Sequence, residues 1–591
     1  MCKHQNVRIN IIGISALYHD AACCLLQDGV LIAATQEERF TRKKFDCSMP
    51  VNASRYCLEE AGLSIHDIDC LAYYENPEKK FARQLWSGYR GDSRELVYKL
   101  DPHRAEREIR ELLGYEGPIK FMEHHLSHAA SGYYFSGFER SAILTVDGVG
   151  EWATCTYGQG KGNNIELFEE VHFPDSLGLL YSTITGYLGF RVNSGEYKVM
   201  GLAPYGKPVY VDKIYTLIQS RDKGQFYLDM KYFDFISGDK MYSEELIELF
   251  GKPPRVPESG IHQFHKDAAR SLQVVLEEIL LEKAGYLYER TGEENLCMAG
   301  GVALNCVANS RILRESPFKR LFVQPAANDA GCALGAAALA HVELMGNRPV
   351  TGKLEQVFLG PKYTADEIER LLNATPLKFK DYRGKQEQLL RETAQQLARG
   401  NVIGWFQGRM EYGPRALGNR SILADPRSPD MRDRVNSMVK KREAFRPFAP
   451  AVLEVKMKDH FDIGHPSPFM LETCKVISPL NLPAVTHVNG SARIQTVNSK
   501  TNPLFAALIL EFEKLTGCPV LLNTSFNVRG QPIVCTPVDA LECFITTDID
   551  SLVLGDFLIR RSENSLSLLR MLVNAQKRIK DEPFSAVYTF I

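Results

Sequence analysis

The segment Glu123-His-His-Leu-Ser-His-Ala129 carries the strongest chemistry in the first half of the chain. His124 and His128 are four residues apart, so on a helix their imidazoles share one face and can bind a single metal ion. Asp147 lies at the turn of a hairpin, and Asp329 follows an apolar strand at 321–323. Two imidazoles and two carboxylates suit iron, manganese or zinc. The competing reading of the same spacing is a polar helix face that holds no ion. His125 faces away from the other two histidines and reads as an outer or structural group.

Glycine-rich turns give a second signal. Residues 193–206 contain Lys198, and Ala299-Gly300-Gly301-Val-Ala-Leu-Asn305 follows an apolar run. Gly300, Gly301 and Asn305 would let the backbone approach a phosphate or a ribose. Lys198 would meet phosphate as a point charge. Either segment is also compatible with a plain tight turn.

The second half is denser in cations. Gly413-Pro-Arg415-Ala-Leu-Gly418-Asn-Arg420-Ser421 is followed by Lys440, Arg442 and Phe445-Arg446-Pro-Phe448, then by Arg493 and by Asn523-Thr-Ser525-Phe-Asn527. Planar guanidinium forks and a lysine suit phosphates and acyl phosphates. Ser525, Asn523 and Asn527 can orient a carbonyl or phosphate oxygen. A solvated charged face fits less well, because Phe406, Phe445, Phe448 and Ala449 interleave with the charges, and buried cations require anions.

The elements that must position these groups follow from periodicity. Residues 11–15, 21–26 and 30–34 read as strand, strand, strand, with turns at Tyr18-His19-Asp20 and Asp28-Gly29. A similar unit recurs at 141–146 and 152–157 around Asp147-Gly148, which suggests an internal duplication. Helices are predicted over 261–291, 331–340, 364–373 and 386–399, and strands over 295–298 and 402–406. The turn-rich stretch 345–352 places a boundary between a domain of residues 1–350 and one of residues 351–591. A helix-like amphipathic stretch at 566–579 has no assigned role.

With 591 residues, 45% hydrophobic and 24% charged, the chain has the profile of an ordinary globular protein. Its formal net charge of −2 gives no global attraction for nucleic acid. No signal-peptide pattern opens it, and no apolar run approaches the ~20 residues that span a bilayer. The expectation is a cytoplasmic protein without a membrane partner. The 14 cysteines include no C-x-x-C pair, which argues against a zinc ribbon or a disulfide framework.

These motifs resemble the NodU/CmcH-type O-carbamoyltransferases, the family of the nodulation, cephalosporin and tobramycin carbamoyltransferases. The resemblance runs from about Gly13 to about Asp550. It is carried by G-I-S-A-L-Y-H-D (13–20), Q-E-E-R-F-T-R-K-K (36–44), E-H-H-L-S-H-A-A (123–130), V-M-G-L-A-P-Y-G (199–206), A-G-G-V-A-L-N (299–305) and N-D-A-G-C-A-L-G-A (328–336). In the second half it includes G-P-R-A-L-G-N-R-S-I (413–422), F-R-P-F-A-P (445–450) and N-T-S-F-N (523–527).

The resemblance implies an α/β protein of two domains. The first is an actin/hexokinase-like duplicated domain of the tRNA threonylcarbamoyl transferase type, and the second is a YrdC-like α/β domain. Lys440 and Arg442, with Ser525 and Asn527, resemble the YrdC signature. The implied chemistry is formation of carbamoyl-adenylate from carbamoyl phosphate and ATP in the second domain. Transfer to a hydroxyl of a small molecule follows in the first, with Fe2+ or another divalent metal at His124, His128, Asp147 and Asp329. His19 is the candidate base, against the alternative of a hydrogen-bonded turn histidine. The family's G-E-G-K reads Gly195-Glu196-Tyr197-Lys198 here, while its G-[EQ]-P-I is kept as Gly530-Gln531-Pro532-Ile533. The competing readings are a tRNA threonylcarbamoyl transferase fusion, which near-neutral charge disfavours, a hydrogenase-maturation carbamoyltransferase, which would carry C-x-x-C pairs, and a non-enzymatic ATP-dependent clamp.

Overall fold

The computed structural model describes residues 8–88, 100–236, 238–440, 443 and 445–576. Two compact units divide them: 8–41 with 45–354, and 42–44 with 355–576.

In the first unit, six consecutive buried residues form β1 (Asn10–Ser15) at the centre of a sheet. β1 pairs antiparallel with β2 (Ala22–Gln27), and β2 pairs antiparallel with β3 (Val30–Gln36). On the other edge of β1 lies β4 (Cys70–Tyr73), parallel, and then β5 (Ile119–Phe121), also parallel. The second sheet repeats the plan. β6 (Arg140–Val146), β7 (Ala153–Lys161) and β8 (Asn164–His172) form an antiparallel meander. β9 (Asn295–Ala299) joins the free edge of β6 in parallel, and β10 (Arg320–Val323) joins β9. The strand orders, β3-β2-β1-β4-β5 and β8-β7-β6-β9-β10, are equivalent. The duplication suggested by the two hairpins therefore spans five strands in each half, as in the actin/hexokinase architecture.

Each half continues into one helix, His124–Tyr133 after β5 and Asp329–Met345 after β10. These two helices pack directly on one another. A Cβ on Gly335 would lie 1.8 Å from the Ser127 carbonyl oxygen, so only glycine permits this closeness. The Asp329 helix is built from small residues and is buried from Asp329 through His341. It begins at Asp329 rather than at Gly331, where the periodicity placed its start. Between β8 and β9 the second half carries further helices, among them the 29-residue Gln263–Thr291.

The second unit holds an eight-stranded mixed sheet. Its centre is Ile403–Phe406, Arg420–Ala424, Val520–Ser525 and Ala449–Leu453, each buried or nearly so. Helices Gln386–Ala398, Pro503–Thr516 and Pro537–Thr546 turn apolar faces to the same core. Among the described residues, no helix is long and apolar enough to cross a membrane.

Candidate metal centre and anion site

The duplication places equivalent features of the two halves face to face. The first turns of both long helices and the hairpin ends after β1 and β6 converge. His124 Nε2 lies 3.3 Å from Asp147 Oδ2 and 3.8 Å from Asp329 Oδ1. His128 Nε2 lies 3.8 Å and 3.6 Å from the same two oxygens. Donors about 2.0–2.3 Å from one divalent ion stand roughly 3–4 Å apart. The spacings fit that arrangement better than they fit hydrogen bonds.

Burial sharpens the point. Asp329 is 0% exposed, and neither of its carboxylate oxygens has a hydrogen-bond partner. Neither ring nitrogen of His128 has one. A buried carboxylate at a helix start gains from the helix dipole, but it still requires a positive partner. Burial alone would raise Asp147 and Asp329. The neighbouring histidines outweigh it and hold both carboxyls below the usual range. Burial would likewise lower His128, yet Cys332, Asp147 and Asp329 hold it well above the ordinary imidazole range. A field that draws a proton onto His128 equally draws a cation.

Supporting groups fix the donors. Asp147 Oδ1 accepts from the Gly301 N–H at 2.7 Å. Glu151 accepts from the His124 N–H at 2.9 Å and from the Asn76 N–H at 2.7 Å, securing the start of the His124 helix. His125 Nδ1 is bonded to Thr145 Oγ1 at 2.6 Å, and Thr145 in turn to Thr156. Burial and the charges of His124 and His128 push His125 well below its ordinary value, so it is neutral. His19 Nδ1 is 3.0 Å from Asp20 Oδ2 and 3.7 Å from Asp329 Oδ2. Against the lowering effect of burial, Asp329, Asp20 and Asp147 raise it to about 9.

The glycine turn serves this centre rather than standing apart from it. Gly300 has φ +95°, and a Cβ there would lie 2.2 Å from the Val146 carbonyl oxygen. Its close approach is therefore to the end of β6, where expectation had a nucleotide. Gly300→Ala should lower the melting temperature and the metal content together, at a cost of about 3 kcal/mol or more. Thermal denaturation and metal analysis of the variant check this. Asn305 caps the helix Cys306–Glu315 through the Ala308 N–H at 3.1 Å and exchanges two hydrogen bonds with Gln273. Its amide is thereby committed to the scaffold. The Lys198 ammonium lies 5.7 Å from the Phe190 ring centroid.

In the second unit, three of the sequence motifs meet at one end of the sheet. Asn523 pairs with Leu423 on one side and Ala449 on the other. Asn523 Nδ2 donates to the Ala416 carbonyl at 3.3 Å and to Gln495 Oε1 at 2.7 Å, and Gln495 Nε2 donates to the Leu417 carbonyl at 2.8 Å. The loop bearing Arg415 is so tied to the strand bearing Asn523 and Ser525. Arg493 stands two residues before Gln495. Ser525 Oγ donates to Asn527 Oδ1 at 2.7 Å, and Asn527 Nδ2 donates to the Gln531 carbonyl at 2.7 Å. Lys440 ends the turn Asn436–Lys440, and Arg442 lies outside the described residues.

Arg420 differs from the expectation of an anion contact. It is 0% exposed, its guanidinium lies 3.6 Å from the Phe406 ring centroid, and it donates to the carbonyls of Gln407, Asn419, Pro361 and Gly408. Its fork closes the loop from within. Glu411, which the sequence did not single out, has a matching role. One of its oxygens accepts from the N–H groups of Leu417, Asn419 and Arg420 at 2.7, 2.9 and 3.2 Å. Glu411→Ala should destabilise the second unit by about 2–4 kcal/mol, read as a lower denaturant midpoint.

This frame matches a known family at both ends. Residues 10–338 match the carbamoyltransferase N-terminus and residues 394–561 the carbamoyltransferase C-terminus; the chain belongs to the carbamoyltransferase family. It is 42% identical over 557 residues to nodulation protein NolNO of Sinorhizobium fredii, covering 92% of this chain and 79% of that protein. It is 47% identical over 595 residues to an uncharacterized protein of Synechocystis sp., covering 94% and 97% of the two chains. Nodulation protein U of Bradyrhizobium diazoefficiens is 30% identical over 577 residues, covering 88% of this chain and 93% of that one. The resemblance read from the motifs thus holds, and the non-enzymatic clamp falls away.

Proposed function

We propose that the protein is an ATP-dependent O-carbamoyltransferase acting on a hydroxyl of a small-molecule natural product. In the second unit, carbamoyl phosphate, ATP and one water give carbamoyl-adenylate, phosphate and pyrophosphate. In the first, the acceptor hydroxyl displaces AMP from the carbamoyl carbon and loses its proton. The observation that supports the assignment is the fully buried Asp329 carboxylate, without a hydrogen-bond partner and facing two buried imidazoles, in a chain that matches both carbamoyltransferase domains.

His124, His128, Asp147 and Asp329 would hold Fe2+ or another divalent ion, which supplies Lewis-acid polarisation of a phosphate or carbonyl oxygen when bound. Asp20 orients His19, and this pair would act as the base for the acceptor hydroxyl, a weak nucleophile at its own pKa, once a bound cation offsets the carboxylates that hold His19 protonated. Arg415 and Arg493, with Ser525 and Asn527, would grip the acyl phosphate and ATP on a loop that Asn523 braces; Lys440 and Arg442 join them by resemblance. Lys198 would reach a phosphate in the first unit. The reading is tested by incubating the protein with ATP, carbamoyl phosphate and a panel of polyhydroxylated natural products. The expected result is a mass gain of one carbamoyl group on an acceptor, with release of AMP and pyrophosphate. Carbamoylation that proceeds equally well without ATP would sink it.

A further inference from the structure

The two symmetry-related helices each offer two donors from their first turns. His124 and His128 are four apart on one helix, and Asp329 and Cys332 are three apart on the other, so each pair shares a face. One donor atom from each of these four residues lies within 4.8 Å of all the others. Cys332 is 0% exposed and in no disulfide. Asp147 stands outside that group of four, and one of its oxygens is already spent on the Gly301 N–H. The orphaned atoms of His128 and Asp329 point to an ion among these four groups.

We propose that Cys332 is a further ligand of this ion, adding a thiolate to the two histidines and two aspartates of the centre. The inference rests on the metal centre proposed above. On binding, the S–H bond breaks, the proton goes to solvent and a sulfur–metal bond forms. A thiolate is a soft donor, so the set favours Fe2+, Co2+ or Zn2+ over Mg2+ and Mn2+.

The test uses the full-length protein stripped of metal and reloaded with one equivalent of Co2+. A sulfur-to-cobalt charge-transfer band in the near ultraviolet is expected. Cys332→Ser should abolish that band, keep the visible bands of histidine-bound Co2+, and weaken Zn2+ affinity by at least about 10-fold. X-ray absorption of the Zn2+-loaded wild type needs no variant; it should show a sulfur scatterer at about 2.3 Å besides nitrogen and oxygen at about 2.0–2.2 Å. Uptake of Co2+ without the band, or a Zn2+ shell of nitrogen and oxygen alone, overturns the cysteine assignment and leaves the metal centre standing. Failure to take up either ion overturns both.

Discussion

His128→Ala yields a protein that holds no ion and transfers no carbamoyl group, yet still exchanges pyrophosphate with ATP when carbamoyl phosphate is supplied. The imidazole is fully buried and lies 3.6 Å and 3.8 Å from two carboxylates that have few other partners. Its removal deletes one donor and leaves the negative groups facing an empty space. Loss of a supporting group around a bound metal costs about 10–100-fold in affinity, and loss of a ligand should exceed that. Adenylate formation should survive, because the residues proposed for it belong to the other compact unit. Metal analysis, a transfer assay and isotope exchange on one preparation read all three outcomes. Unchanged metal content in the variant would remove His128 from the ligand set.

Three arginines in one loop and its neighbour should divide into two kinds. Arg415→Met and Arg493→Met should slow adenylate formation by about 10–100-fold, since a charge-assisted contact to an anion is worth about 1.5–3 kcal/mol. Their melting temperatures should hardly move. Arg420→Met should do the reverse. Its fork binds four carbonyls, three of them buried, and stranding them costs about 3 kcal/mol or more, so the second unit should lose stability before its chemistry can be judged. Steady-state exchange rates and denaturation midpoints for the three variants separate these roles. Wild-type exchange in both Arg415→Met and Arg493→Met would remove this loop from the anion site.

Local pattern made the frame legible to a degree that can be traced residue by residue. The hairpins around Asp20 and Asp147 show in sequence because apolar runs broken by Tyr-His-Asp and Asp-Gly turns are short-range signals. The equivalence of β4 and β5 with β9 and β10 does not, since these strands have three to five residues each and their parallel pairing is long-range. Cys332 escaped for a narrower reason. With the helix start placed at Gly331, Asp329 read as a loop residue, and its three-residue spacing to Cys332 carried no meaning. Once Asp329 is the first helical residue, the two share a face. Arg420 stood out by type, but a guanidinium that binds phosphate and one that binds backbone carbonyls have the same local sequence. Only the fold around Glu411 and Phe406 distinguishes them. Glu151 and Glu411 act through backbone N–H groups, for which a sequence has no side-chain signature.

The two long helices enter the centre from opposite halves of a duplicated unit, and each brings its own donors. An ion there is consequently a cross-link between the halves, closing a loop of some 200 residues from His124 to Asp329. Whatever binds the native state alone adds stability in proportion to its concentration, about 2.7 kcal/mol at a hundredfold excess over its dissociation constant. The melting temperature of the first unit therefore becomes a readout of free metal in the medium. Starvation for the ion would remove this link between the halves as well as silence the proposed transfer step, and resupply would restore both in the same titration.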